Sequence, residues 1–240
     1  MATIISHFYN EEYLLPFWLK HHRKYFDHGV MINYRSTDNS VAIIKELCPT
    51  WEIIDTRNPD FLATAVDSEV YDIEKNIQGW RICLNTTEFL LGNYKLLTDT
   101  PNQQYTIASY NMVDVDPTIQ PTQEQELWET KHHGMDYVQY FGERRARSMH
   151  NYSVNYPTGR HFTNYNTTEL AILYYGWAPF NDSVIARKLQ IQNNIPEFDK
   201  RLGHGAQHIT TRDKLIQDLN NKYVPISIDL KEKITELCRK

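Results

Sequence analysis

The chain has 240 residues, 41% hydrophobic and 23% charged, and 25 Lys and Arg against 30 Asp and Glu give a net charge of −5. That balance reads as an ordinary soluble globular chain, long enough to bury a substantial core. It excludes the basic excess of a general nucleic-acid binder, and no run approaches the ~18 apolar residues of a membrane span.

Three cysteines, Cys48, Cys83 and Cys238, are scattered and form no Cys-x-x-Cys pair, so neither a zinc site nor a disulfide framework is indicated. The apolar run Ala2-Thr3-Ile4-Ile5 is too short for a leader peptide. Together these set the expectation of a cytoplasmic protein. The four Asn-x-Ser/Thr sequons, at Asn85, Asn151, Asn166 and Asn181, then read as coincidence in an Asn- and Thr-rich chain.

In chain order, Thr3-Ile4-Ile5-Ser6-His7-Phe8 reads as a short buried strand. Asn10 is placed to cap a following helix, with Glu11 and Glu12 in its favourable first turn. Leu14, Leu15, Trp18, Leu19, Tyr25 and Phe26 recur at helical spacing, the basic run Lys20–Lys24 suits a helix C-terminus, and Gly29 lies past the end. Gly29–Asn33 is a second strand, Ser36 or Asp38 caps a helix carrying Val41, Ile44, Leu47 and Cys48, and Trp51–Asp55 is a third strand. Residues 66–78 repeat a helical pattern, Trp80–Leu84 is a fourth strand, and another covers Tyr105 to Met112. This alternation predicts an α/β fold with a mostly parallel, doubly wound sheet flanked by helices. From about residue 115 prolines break the chain into short pieces, read as a less regular lobe, before two closing helices at roughly 210–222 and 229–238. One compact domain over 1–240 is expected, with two polar loops side by side at the ends of neighbouring strands, where ligands bind in open α/β sheets.

The segments ISHFYNEEYLLPFWLKHH, INYRSTDNS and WRICLNTTEFL together resemble the donor half of family-2 glycosyltransferases of the GT-A fold, over roughly residues 1–98. The later stretch APFNDSVIARKLQIQNNIPEFD is similar to a subgroup found in large algal viruses and bacteria. The resemblance implies a GT-A-like sheet with an acceptor-side half over 99–240. It implies an inverting enzyme that moves a sugar from a nucleotide-diphosphate donor, UDP-linked by expectation, to a glycan or other hydroxyl acceptor. By resemblance Phe8, Tyr9, Asn10 and Glu11 lie in the first donor loop, Asn33 stands where the family has a base-binding aspartate, and Ser36 and Asp38 belong to the second loop.

Such enzymes place Asp-x-Asp where this chain has Asn85-Thr86-Thr87-Glu88, with Asn85 and Thr87 at the two acidic positions. A hard cation prefers carboxylate oxygens, so an amide and a hydroxyl are a weak substitute. Three readings stay open: Glu88 holds Mn2+ or Mg2+ through the diphosphate, with His208, and less so His161 or His204, completing the shell; arginine or lysine replaces the metal; or the protein binds nucleotide sugar or glycan without turnover. Under the first, Glu88→Ala is expected to abolish transfer with the fold intact. Arg144, Arg145, Arg147, Arg160, Arg187 and Lys188 are candidate diphosphate partners, since guanidinium binds phosphate in two-pronged fashion. Inversion needs a general base on the acceptor side; Asp114 and Asp116 come first, with Glu143 and Asp182 as alternatives. Tyr152, Tyr156, Tyr174, Tyr175 and Trp177 are candidates for an acceptor groove or for core packing.

Overall fold

A computed structural model of the chain describes residues 2–60, 62–99, 103–136, 145–201 and 209–239. Strands β1 (Ala2–Phe8), β2 (His28–Asn33), β3 (Glu52–Asp55) and β4 (Trp80–Cys83) are parallel and lie in the order β4-β1-β2-β3. Six more strands follow: β5 (Glu88–Leu91), β6 (Gln104–Val113), β7 (His133–Asp136), β8 (Ala146–His150), β9 (Thr167–Trp177) and β10 (Ile228–Asp229). They continue the sheet beyond β4 as β8-β6-β7-β10, all antiparallel neighbours, while β9 runs parallel to β6 and pairs β5.

The main helices are α1 (Leu15–His22), α2 (Ser40–Leu47), α3 (Ala63–Glu74), α4 (Asp182–Gln190), α5 (Arg212–Asp218) and α6 (Lys231–Arg239). Successive strand residues point to opposite faces. Ile4, Met31 and Ile82 therefore share a core with Leu14, Leu15 and Trp18 at α1 and Ile44 of α2. Their neighbours Ile5, Val30, Ile32 and Cys83 pack with Val66 and Val70 of α3. This two-sided burial is why these strands lack a polar face, and it places helices on both sides of the sheet as expected. A third cluster joins Val113, Met135 and Trp177 to Ile185 of α4 and Leu215 of α5. Among the described residues no helix is long and apolar enough to cross a membrane.

Local signals erred where a tertiary contact competed with them. Asn10 does not cap α1: it adopts φ 49°, and the helix begins at Leu15 with a proline in its first turn. Proline suits that position because its missing N–H would lack an intrahelical partner anyway. Gly29, expected past the helix end and in the second strand, does lie in β2, where a Cβ would stand 2.3 Å from the Trp51 ring. The stretch after residue 115 holds strands β7, β8 and β9 and helix α4, more regular than expected. β9 is buried along most of its length, so its sequence lacks the polar alternation that marks a half-exposed strand.

Candidate functional site

The chain runs outward from β1 through β2 to β3 and then returns to β4 on the other side of β1. In open α/β sheets the crevice at such a reversal, beyond the carboxyl ends of the strands, is where ligands bind. Here the loops after β1 and β2 are tied together rather than open. Asn10 Oδ1 accepts from the Thr37 and Asp38 amides at 2.8 and 3.4 Å, Ser36 Oγ accepts from Asn10 N, and Ser40 Oγ accepts from Glu11 N. Asp38 Oδ2 accepts from Glu12 N at 3.0 Å, and Asn33 Oδ1 accepts from Ser36 N while its Nδ2 donates to Asp55. These contacts fix both loops before any ligand arrives.

Beside them, at the β1–β4 reversal, a cavity of 410 Å³ is lined by Phe8, Tyr9 and Glu11 from the first loop, by Asn85 and Thr87 after β4, and by Tyr174, Arg145, Arg187 and Lys188 from the second half. A smaller cavity of 310 Å³ adjoins it, sharing Tyr9 and Asn194, and is lined by Tyr34, Arg35, Thr56 and Asn58. The walls of the second cavity are organised by buried Glu69, whose carboxylate accepts from Tyr34 Oη, Thr56 Oγ1, Asn58 Nδ2 and Arg57 N.

The larger cavity is lined by three cations, Arg145, Arg187 and Lys188, with Arg160 behind its wall. Arg187 Nε donates to Glu11 Oε2 at 2.5 Å, and Arg160 Nη1 donates to Asp67 Oδ1 at 2.6 Å. Arg160 Nη2 also lies 3.5 Å from Asn85 Oδ1 and 3.4 Å from His7 Nδ1. Lys188 has no carboxylate partner among the described residues; its Nζ stands 4.1 Å from the Trp177 ring centroid, a cation–π contact. It keeps partial access to the cavity while protein surrounds it densely, and desolvation, with Arg187 nearby, draws its amine down to about 7. His7 is held neutral, first by burial and then by Arg160, Arg147 and Arg187.

Of the donor-site residues expected from sequence, Phe8, Tyr9, Glu11, Asn85 and Thr87 line the larger cavity, and Arg160 reaches Asn85 behind its wall. Asn10, Asn33, Ser36 and Asp38 line neither cavity; their polar atoms hold the loops together. Tyr174, Arg145, Arg187 and Lys188 reach the cavity as candidates, whereas Tyr175 is buried core and Tyr156 Oη donates to Glu74. Tyr152 is exposed, and buried Trp177 stacks in the third cluster against Phe180 and Tyr223. His7, Asn194 and the Arg35–Asn58 wall went unnoticed; for His7 the available signal was its place next to last in β1, just before the loop.

Three expectations meet a different geometry. Asp114 is buried, its Oδ1 accepting from Lys131 Nζ at 2.7 Å and its Oδ2 from Phe180 N at 2.7 Å, so it braces β6 and not an acceptor. Asp116 is exposed and accepts from Thr118 N, and neither acid lines a cavity. Asp182 pairs with Arg212 at the exposed start of α4. Glu88 is 1% exposed, and its carboxylate is forked by Arg147 Nε at 2.9 and 3.0 Å and Nη2 at 2.8 Å, while its Oε2 also accepts from Asn85 N. Among the described residues no three His, Cys, Asp or Glu side chains converge as a metal set. The described residues therefore do not fit Mn2+ or Mg2+: the carboxylate of the Asn85–Glu88 turn faces a fixed guanidinium. His161 lies against the Arg145 guanidinium, while His208, His204, Glu143 and Arg144 lie outside the described residues.

No protein-family model matches the sequence, and no curated protein matches it. Among solved structures the chain is similar to glucosyl-3-phosphoglycerate synthase from Mycobacterium tuberculosis, in a complex with Mn2+, UDP and glucosyl-3-phosphoglycerate, at 10% identity and TM-score 0.34 over 46% of this chain and 44% of that one. It is similar to S. aureus TarS 1-349 at 12% identity and TM-score 0.37, over 62% of this chain and 47% of that one. It is also similar to HddC from Yersinia pseudotuberculosis at 11% identity and TM-score 0.32, over 72% and 77%. The match spans less than half the length of the first two. The chain's own side chains, not these likenesses, carry the functional reading.

Proposed function

We propose that the chain is a glycosyltransferase that takes its sugar from a nucleotide-diphosphate donor, UDP-linked, and transfers it with inversion to a hydroxyl acceptor such as a glycan. The observation that carries this reading is the pair of adjoining cavities at the β1–β4 reversal, one walled by polar groups and the other by cations, meeting at Tyr9. In this reading the nucleoside occupies the smaller cavity, where Asn58, Thr56 and Arg35 offer donors and acceptors to a base and ribose. The diphosphate passes Tyr9 into the cation-lined cavity, and the sugar reaches Asn85, Thr87 and Tyr174.

Fixed cations aimed at a departing diphosphate stabilise the charge that develops as the glycosidic bond breaks. The acceptor hydroxyl attacks the opposite face of the anomeric carbon and must lose a proton. Of the described residues lining the larger cavity only Glu11 carries a carboxylate, so the base role sought at Asp114 and Asp116 is tested there first.

Calorimetric titration with UDP, GDP and dTDP, and with their glucose conjugates, tests the reading. One nucleotide is expected to bind with a Kd near ~1 µM, about −8 kcal/mol, and Tyr9→Ala is expected to weaken it about tenfold. Binding by none of them refutes the proposal. Binding without turnover of any donor favours a recognition protein instead, a reading that the closed Glu88–Arg147 pair supports.

A further inference from the structure

We infer that the Arg147 guanidinium has taken the place of a divalent cation in this site, and that Lys188 at the end of α4 meets the charge of the donor diphosphate. The inference rests on the nucleotide-sugar reading above and names how that donor is held. Four observations carry it. The carboxylate of Glu88 is turned into the protein, since Asn85, Thr86 and Thr87 line the cavity and Glu88 does not. The guanidinium facing it is held at all three nitrogens: beyond the three contacts to Glu88, its Nη1 donates to the carbonyls of Gly159 and Arg160 at 2.6 and 3.0 Å. Bidentate guanidinium–carboxylate pairs of this kind fix geometry as well as charge. The two positions that would present acids present the neutral Asn85 and Thr87, and a second guanidinium, that of Arg160, stands 3.5 Å from Asn85 Oδ1. A dication there would meet two positive groups and no free carboxylate.

On the other wall stand Arg187, Lys188 and Arg145, the last lying against His161 and the Tyr174 ring. Glu11 neutralises Arg187 and Asp67 neutralises Arg160. Lys188 instead faces the Trp177 ring, a partner that stabilises an ammonium without cancelling its charge. A half-buried, uncancelled ammonium in the wall of a cavity has an anion as its natural complement, and a compact point charge is a proven phosphate ligand.

Two measurements test this. Uptake of Mn2+ by the nucleotide-free wild-type protein is followed by the paramagnetic resonance of the free ion. No uptake, or uptake that Glu88→Gln leaves unchanged, agrees with replacement of the metal; uptake that Glu88→Gln abolishes overturns it. The nucleoside diphosphate found above is then titrated in EDTA and in MnCl2, with the plain nucleoside alongside. Affinity is expected to agree within about twofold between the two buffers, and tightening of tenfold or more by Mn2+ overturns the inference while leaving the donor reading standing. Lys188→Met is expected to weaken the diphosphate at least tenfold, leave the nucleoside within about twofold, and be rescued by Lys188→Arg. No loss, or equal loss for nucleoside and diphosphate, removes Lys188 from the role. Failure of every nucleotide to bind in either buffer sinks the donor reading, and the Mn2+ uptake result then still decides the metal question.

Discussion

Removing the Glu88 side chain should unfold the protein more readily, not merely inactivate it. Glu88 and Arg147 are each 1% exposed, and Glu88 is the sole carboxylate paired with that guanidinium among the described residues. Glu88→Ala leaves a buried cation whose remaining partners are two carbonyls, and it also deprives the Asn85 amide of its acceptor. Breaking a buried pair by deleting one partner costs about 3–5 kcal/mol, because the surviving charge has lost both water and its counterion. For a chain of this length each kcal/mol moves Tm by about 2–4 °C, so the melting temperature should fall by roughly 6–20 °C. Thermal melting by circular dichroism and urea titration measure it. The double variant Glu88→Leu, Arg147→Met removes both charges and should recover most of the loss, since apolar replacements of a buried pair are often neutral. A Glu88→Ala protein that melts within about 2 °C of wild type would refute the buried-pair reasoning and restore the view of Glu88 as a free ligand.

Affinity for a nucleotide sugar, whose diphosphate diester does not titrate near neutrality, should fall as pH rises from about 6 to 8, because Lys188 with a pKa of about 7 loses its charge in that window; titrations of Lys188→Met should show no such slope. His7, His22 and His161 are all held below the ordinary histidine value, first by burial, then by neighbouring arginines for His7 and His161 and by His21 for His22. The unfolded chain therefore takes up protons before the folded one as pH drops below about 6.5, and stability should decline there by up to about 1.4 kcal/mol per pH unit for each group; a flat Tm between pH 7 and 5 would contradict this. Gly92 has φ 91°, and a Cβ there would lie 2.3 Å from the Glu169 carbonyl oxygen. Gly92→Ala should therefore cost about 2–4 kcal/mol in urea unfolding, and a loss below about 1 kcal/mol would mean that β5 and β9 separate easily.

The first hundred residues were legible because strands, helices and polar loops alternate there at short range, and because two-sided burial leaves an unmistakable apolar run in β1 and β2. The two polar loops after β1 and β2 were legible as loops, but the parts their side chains play were only half readable. An Asn, Ser or Asp oxygen that can cap a helix can equally accept from the amides of a neighbouring loop, and the sequence does not say which N–H will be nearest. Asn10 shows this: its oxygen serves Thr37 and Asp38, 27 and 28 residues away, and the helix it should have capped begins later. Glu88 shows the same at longer range. Its partner lies 59 residues on, in a strand that no local pattern joined to it. The second half was harder still, because β9 forms its pairs with β5 and β6 and its burial erases the alternation that would have revealed it.

One regularity appears only when the halves are assembled. In three ion pairs in and behind the wall of the larger cavity, every acid comes from the first half and every guanidinium from the second: Glu11 with Arg187, Asp67 with Arg160, and Glu88 with Arg147. Each closes a long loop of chain, so each couples the docking of the halves to the shape of the cavity. Truncating an acid frees a cation in or behind the cavity wall and weakens the seam at once, so losses of fold and of binding should rise together for these three positions. Lys188 stands outside that pattern, with an aromatic ring where the others have a carboxylate. Its removal should leave the seam intact, and so a variant at this one position separates what the site binds from what holds it together.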